Sequence, residues 1–140
     1  LLERLDTLIA GHPKKLFLMI GTNDLAAGVA PARIVEHVRR LIDRFRTESR
    51  WTKLYVQSIL PVNGRSFDRY AEHYARAAQI VETNRLLAAL CEELQVVYLD
   101  VYAALVDSNG DLNAAYTDDG LHLLGEGYQV WKEAIRPYVK

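Results

Sequence analysis

Three short runs of apolar residues interrupt an otherwise mixed chain, and each is bounded by polar or turn-forming residues. They lie at residues 16–20, 53–60 and 96–100, where the sequence reads LFLMI, KLYVQSIL and VVYLD. Apolar runs of this length are typical of strands that are buried on both faces of a sheet. We therefore predict three buried strands, with a loop after the first of them.

Around these runs, apolar residues recur at helical spacing. The predicted helices cover residues 1–10, a segment that begins at Pro31, a long run over 70–94 and a final segment over 127–138. Strands that alternate with helices of this length predict an α/β fold, in which a parallel sheet carries helices on both faces. Ligands of such folds bind beyond the carboxyl ends of the strands, so chemistry is expected at that edge.

Composition narrows the class of protein without changing this architecture. The chain has 140 residues, half of them apolar, which suits one domain over residues 1–140. The net charge is −1 and the basic residues are dispersed among acidic ones, so we expect no nucleic acid partner. No apolar run approaches the roughly 20 residues of a membrane-spanning helix, so no membrane span is expected either.

The cysteine and histidine content does not indicate metal or cofactor chemistry. Cys91 is the only cysteine, so an internal disulfide is excluded and a small buried hydrophobe is predicted. His12, His37 and His73 follow a helix stop or lie on charged helical segments, where a solvated face explains them. We predict no metal site and no cofactor, and the cellular compartment stays open.

The first candidate for chemistry is the segment Gly-Thr-Asn-Asp at residues 21–24, directly after the first predicted strand. A carboxamide on such a turn can aim its NH₂ group at an oxyanion, which makes Asn23 the residue of interest. The alternative is structural, because glycine, asparagine and aspartate often hydrogen-bond the local backbone where a strand ends in a turn. Taken alone, the four residues favour the structural interpretation.

The second candidate is the segment YTDDGLH at residues 116–122, just before the last predicted helix. A carboxylate three residues before a histidine can accept a hydrogen bond from Nδ1, which leaves Nε2 free to take a proton from a hydroxyl. Asp119 and His122 have this spacing, whereas Asp118 is one residue farther away and fits a turn or a helix cap. A solvated surface loop is the structural alternative.

Taken together, the two segments resemble the GDSL/SGNH hydrolase family, and the resemblance covers essentially the whole chain. IGTND at residues 20–24 is similar to the family's Gly-x-Asn-Asp block, and DGLH at residues 119–122 is similar to its Asp-x-x-His block. The resemblance implies a flavodoxin-like, three-layer α/β/α fold with a parallel sheet. It further implies that Asn23 is an oxyanion donor, Asp119 the orienting carboxylate and His122 the general base.

Two family blocks are not found in this sequence. One is the strand that ends in Gly-Asp-Ser and supplies the nucleophile, and the other supplies a glycine N–H to the oxyanion hole. The four serines follow no Gly-Asp and stand on no strand-to-helix elbow; they are Ser49, Ser58, Ser66 and Ser108. We therefore expect the chain by itself to be inactive and its N-terminal strands to lie upstream of Leu1.

Such a truncation has a consequence for the sheet. The strand at residues 16–20 would become an exposed apolar edge that can pair with another chain or segment. Three explanations are ranked. We first expect the chain to be part of a longer enzyme. The second explanation is a chain that pairs with a separate segment, and the third is a remnant without catalysis.

For the complete protein, the resemblance implies a serine ester hydrolase that acts through an acyl-enzyme. Its substrate would be a small-molecule acyl ester, such as an acetylated carbohydrate or a lipid, and the sequence does not choose between them. The rival hypothesis is a catalytically inactive hydrolase-like module that binds a carbohydrate or a protein.

Overall fold

A sheet of parallel strands forms the middle layer of the molecule. The computed structural model describes the backbone of residues 2–140 and the side chains of residues 4–140. In this range the strands are β1 (Lys15–Leu18), β2 (Lys53–Gln57) and β3 (Val97–Leu99), in the order β1-β2-β3. Both strand pairs are parallel, which confirms the predicted sheet. Each strand is shorter than its apolar run, because the hydrogen bonds between neighbouring strands end before the run does.

Helices cover both faces of this sheet, as the alternating pattern predicts. The described helices are α1 (Leu2–Ala10), α2 (Thr22–Ala26), α3 (Pro31–Glu48), α4 (Ala71–Tyr74), α5 (Ala77–Leu94), α6 (Val101–Leu105) and α7 (Glu126–Val139). The predicted helix over residues 1–10 is α1, with Leu1 outside the described residues. None of the described helices is long and apolar enough to cross a membrane.

The side chains of β2 show how the three layers are built. Leu54 and Val56 are buried in the cluster that also contains the apolar stripes of α3 and α5. Tyr55, between them in sequence, is buried on the opposite face with Ile135 of α7. Because successive side chains of a strand point to opposite faces, this alternation places helices on both sides of the sheet. The predicted α/β/α architecture is therefore confirmed.

The prediction of burial on both faces is wrong for β1, whereas its partial exposure agrees with the apolar edge strand that was also expected. Leu16 and Phe17 are only half-buried, and Met19, just beyond the strand, is 37% exposed. The physical reason is position, because β1 is the edge of the described sheet and pairs only with β2 among the described residues. Pairing of this edge with a further strand stays a prediction.

Two predicted elements differ from the structure near the carboxyl edge of the sheet. The segment after β1 is the short helix α2 rather than a loop. The long helical run over 70–94 is divided into α4 and α5, which end and begin on either side of residues 75–76. This break lets α4 pack against α2 while α5 packs against α3 and β3.

Cys91 of α5 is buried, with 1% of its surface exposed, as its position in the apolar stripe predicts. Burial raises the pKa of its thiol to about 11, because an apolar surrounding disfavours the thiolate. Cys91 is therefore a core residue rather than a nucleophile.

Candidate active site

The Asn23 turn begins with a glycine that no other residue can replace without strain. Gly21 has a φ of 129°, and a Cβ added there would lie 2.7 Å from Cδ1 of Ile59 and 3.3 Å from Cγ2 of Ile34. Ile59 is itself anchored, because Asn84 accepts a hydrogen bond from its N–H at 2.7 Å and donates one to its carbonyl oxygen at 2.9 Å. The turn therefore starts α2 beside a residue whose backbone is held in place, and it leaves Asn23 exposed at the carboxyl edge.

Asp119 and His122 are in direct contact, as their spacing predicts. Nδ1 of His122 lies 2.7 Å from Oδ2 of Asp119, whose side chain is only 12% exposed. Oδ1 of the same carboxylate accepts the backbone N–H groups of Leu121 and His122, both at 2.8 Å. The imidazole of His122 is 63% exposed, and its Nε2 makes no hydrogen bond with any residue that the structure describes. The nitrogen opposite the carboxylate thus has no hydrogen-bond partner among the described residues.

These contacts determine the charge of the carboxyl group. Burial acts to raise the pKa of Asp119, but hydrogen bonds from the His122 ring and from the N–H groups of His122 and Leu121 lower it by more in sum. The pKa therefore lies well below its usual range, and Asp119 stays ionised at neutral pH. An ionised carboxylate at Nδ1 orients the ring and stabilises the imidazolium form. Asp118 is exposed and makes no hydrogen bond among the described side chains.

The loop that carries this pair is tied to the segment after β2. The N–H of Asn63 donates to the carbonyl oxygen of Gly120 at 2.8 Å. Gly120 has a φ of 87°, and a Cβ added there would lie 2.2 Å from the carbonyl oxygen of Asn63. Thr117 adds a local brace, because its Oγ1 accepts the N–H of Gly120 at 3.0 Å. The loop therefore has backbone contacts both within itself and to a neighbouring segment.

Sequence reasoning missed two residues of this region, Tyr70 and His73. Nε2 of His73 lies 3.1 Å from Oδ1 of Asn23, so the interpretation of His73 as merely solvated is wrong. The ring of Tyr70 contacts His73 edge-on at 5.4 Å between ring centroids and contacts His122 in the same way at 5.6 Å. Tyr70 and His73 thereby connect Asn23 with His122. No sequence signal marks His73, because 50 residues separate it from Asn23.

The serines of the chain do not complete a triad in the described structure. Ser58 is fully buried and its Oγ accepts the N–H of Tyr102 at 2.8 Å, and Ser49 is buried at the end of α3. Ser66 and Ser108 are exposed. Within residues 4–140, no serine hydroxyl makes a hydrogen bond with His122.

A shallow cavity of about 230 Å³ lies beside Asp119, with Ser66, Phe67 and Arg69 among its lining residues. Its lining is mostly polar, and neither His122 nor Asn23 is part of it. In the same described range, no group of three or more histidine, cysteine, aspartate or glutamate residues is arranged to hold a metal ion.

Comparison with known proteins assigns the chain to a family. The model of the GDSL-like Lipase/Acylhydrolase family matches residues 1–130. Since this match covers most of the chain, the protein belongs to the GDSL-like lipase/acylhydrolase family. The resemblance seen in the two sequence blocks is thereby confirmed.

Solved structures have the same fold as this chain. A protein from Streptococcus pneumonia that is assigned as a platelet activating factor is 31% identical, with a TM-score of 0.84 over 91% of this chain and 60% of that one. An acetylxylan esterase from Geobacillus stearothermophilus is 17% identical, with a TM-score of 0.73 over 96% of this chain and 64% of that one. The second likeness shows the fold alone.

The curated relatives of the chain are named for a cytidylyltransferase activity rather than for a lipase or acylhydrolase. The N-acylneuraminate cytidylyltransferase of Escherichia coli O18:K1:H7 is 28% identical over 135 residues, which are 95% of this chain and 30% of the relative. The chain thus spans about 60% of the first solved relative and about a third of the curated one. Activity, substrates and partners of the whole protein are accordingly matters for proposal.

Proposed function

We propose that the whole protein hydrolyses a carboxylic ester through a serine acyl-enzyme, and that residues 1–140 form one hydrolase-like domain of it. The observation that carries this proposal is the 2.7 Å contact of Nδ1 of His122 with the ionised carboxylate of Asp119, on an imidazole whose Nε2 has no hydrogen-bond partner among the described residues. An imidazole held in this way is a general base whose second nitrogen is free to accept a proton.

In the proposed mechanism, a serine outside the four described above supplies the nucleophilic oxygen. His122 takes the serine proton at Nε2 as the oxygen attacks the ester carbonyl, and then gives this proton to the departing alcohol. Water, deprotonated by the same nitrogen, cleaves the acyl-enzyme to a carboxylic acid and restores the serine. Asn23 donates an N–H to the oxyanion of each tetrahedral intermediate.

We further propose a small-molecule acyl ester as the substrate, such as an acetylated carbohydrate or a lipid. The family description supports acyl esters in general. The polar cavity beside Asp119 favours a hydroxylated alcohol part, in keeping with the carbohydrates in the names of the acetylxylan esterase and of the N-acylneuraminate enzyme.

The experiment uses the reading frame extended upstream of Leu1, with p-nitrophenyl acetate as the ester. We expect turnover that falls at least about 10³-fold in His122→Ala, because removal of a triad member leaves only binding and oxyanion contributions. His37→Ala, which changes an exposed histidine of α3, is the matched control and should retain the wild-type rate.

Two results would contradict the proposed roles of the base and of the missing nucleophile. One is turnover that survives His122→Ala. The other is labelling of any serine of the 140-residue chain alone by a fluorophosphonate, because that chain is expected to lack the nucleophile. An extended protein without turnover would favour the inactive binding module instead.

A further inference from the structure

The orientation of the Asn23 carboxamide decides what this residue can do. Its oxygen only accepts hydrogen bonds and its NH₂ group only donates them, so a rotation by 180° exchanges an oxyanion donor for a repelling oxygen. Asn23 is exposed, and within the described residues its side chain makes no hydrogen bond to its own turn. Its Nδ2 makes no hydrogen bond with any of the described residues. A contact that holds the oxygen is therefore needed to aim the NH₂ group.

His73 makes that contact. Its Nε2 lies 3.1 Å from Oδ1 of Asn23, and because a carboxamide oxygen is only an acceptor, the imidazole must donate an N–H. This bond holds the oxygen against His73 and turns the NH₂ group away from it.

The position of His73 is itself held by packing. It lies on α4, which contacts α2, the helix of Asn23. The next residue, Tyr74, packs so closely on Gly64 that a Cβ added there would lie 2.2 Å from the Tyr74 ring. The Tyr70 ring contacts the His73 imidazole edge-on. The donor therefore comes from a braced segment rather than from a free surface side chain.

We propose that His73 is a positioning residue that fixes the Asn23 carboxamide with its NH₂ group directed toward the oxyanion. This inference rests on the proposed ester hydrolysis. His73 does not act as a second general base, because no carboxylate contacts its ring among the described residues, whereas Asp119 contacts His122.

A double-mutant cycle in the extended protein tests this role. We expect His73→Ala to lower kcat roughly tenfold and to change KM less than twofold, since a positioning bond to the oxyanion donor acts in the transition state. His73→Gln, which keeps a donor NH₂ group, should recover most of the loss. In an Asn23→Ala background, His73→Ala should cause no further loss, because the two residues act as one unit.

Three kinetic results would overturn the positioning role. The first is an unchanged kcat in His73→Ala. The second is a loss of kcat from His73→Ala in the Asn23→Ala background that equals the loss in the wild-type background. The third is an effect of His73→Ala that is confined to an increase in KM. The matched control is again His37→Ala, which should leave both constants at their wild-type values.

A spectroscopic measurement separates this inference from the proposed function. In the nitrogen-15 spectrum of the same protein, the His73 ring should be a single tautomer with a proton on Nε2, and Asn23→Ala should shift that nitrogen. Absence of this shift would overturn the inference even if esterase activity is present. If the wild-type protein has no esterase activity, the proposed function is wrong and the positioning role is lost with it.

Discussion

The loop over residues 117–122 and the turn over residues 21–23 lie at the same edge of the sheet but are stabilised differently. In the loop, one carboxylate binds a ring nitrogen and two backbone N–H groups within three residues of itself. In the turn, the carboxamide of Asn23 has one side-chain contact, and its partner is His73, 50 residues away.

The loop is therefore organised by local contacts, whereas the turn depends on a long-range contact. The Asp119–His122 geometry forms wherever the loop forms, because its hydrogen bonds close short rings of the chain. The Asn23 geometry also requires that α2 and α4 dock correctly. We therefore expect the Asp119–His122 contact to tolerate distant changes better than the position of the Asn23 carboxamide does.

The largest effect is expected from removing the charge at the centre of the loop. In the active extended protein, Asp119→Asn should lower kcat about 10³- to 10⁴-fold, because the amide favours the wrong imidazole tautomer and does not stabilise imidazolium. Steady-state kinetics on p-nitrophenyl acetate measures the loss. Asp118→Asn is the comparison and should keep the wild-type kcat. An equally large loss in that variant would contradict the assignment of the orienting role to Asp119.

The two glycines that shape these regions predict an intermediate effect on stability. Gly120→Ala should lower the free energy of unfolding by about 3 kcal/mol, because the new Cβ meets a backbone oxygen at a positive φ. Gly21→Ala should cost about 2 kcal/mol, since its closest contact is the movable end of the Ile59 side chain. Urea denaturation of each variant measures both values.

Gly110→Ala is the control for these two variants. It has a φ of 81° but no atom within 4 Å of an added Cβ, so only backbone strain of about 1 kcal/mol is expected. Equal losses at all three positions would show that close packing at Gly120 and Gly21 contributes nothing.

Acid should weaken the loop more than the turn, and this is the smallest of the expected effects. Folding lowers the pKa of Asp119, so its contacts contribute stability above the unfolded-state value near 4 and lose it as the pH falls below that value. The urea midpoint of the wild-type protein should therefore drop more between neutral pH and pH of about 3 than that of Asp119→Asn. Parallel curves for the two proteins would contradict this assignment.

Much of the fold was predictable because it depends on periodicity. The apolar runs located the strands, and the helical stripe after Pro31 located α3, since burial of one face imposes these spacings. The break between α4 and α5 was not predictable, because both halves have helical patterns and only packing on different neighbours separates them. The partial exposure of β1 fits the edge position that the expected truncation implies, whereas its apolar run by itself indicated burial on both faces.

The sequence by itself determined the family, the α/β/α class and the contact between Asp119 and His122. Residues three apart on a turn can meet whatever the rest of the chain does, so their spacing carries the geometry. Only the tertiary structure brought His73 to Asn23 and Gly120 to Asn63. These contacts join segments 50 or more residues apart, and the packing of helices and strands, which no local spacing encodes, decides them.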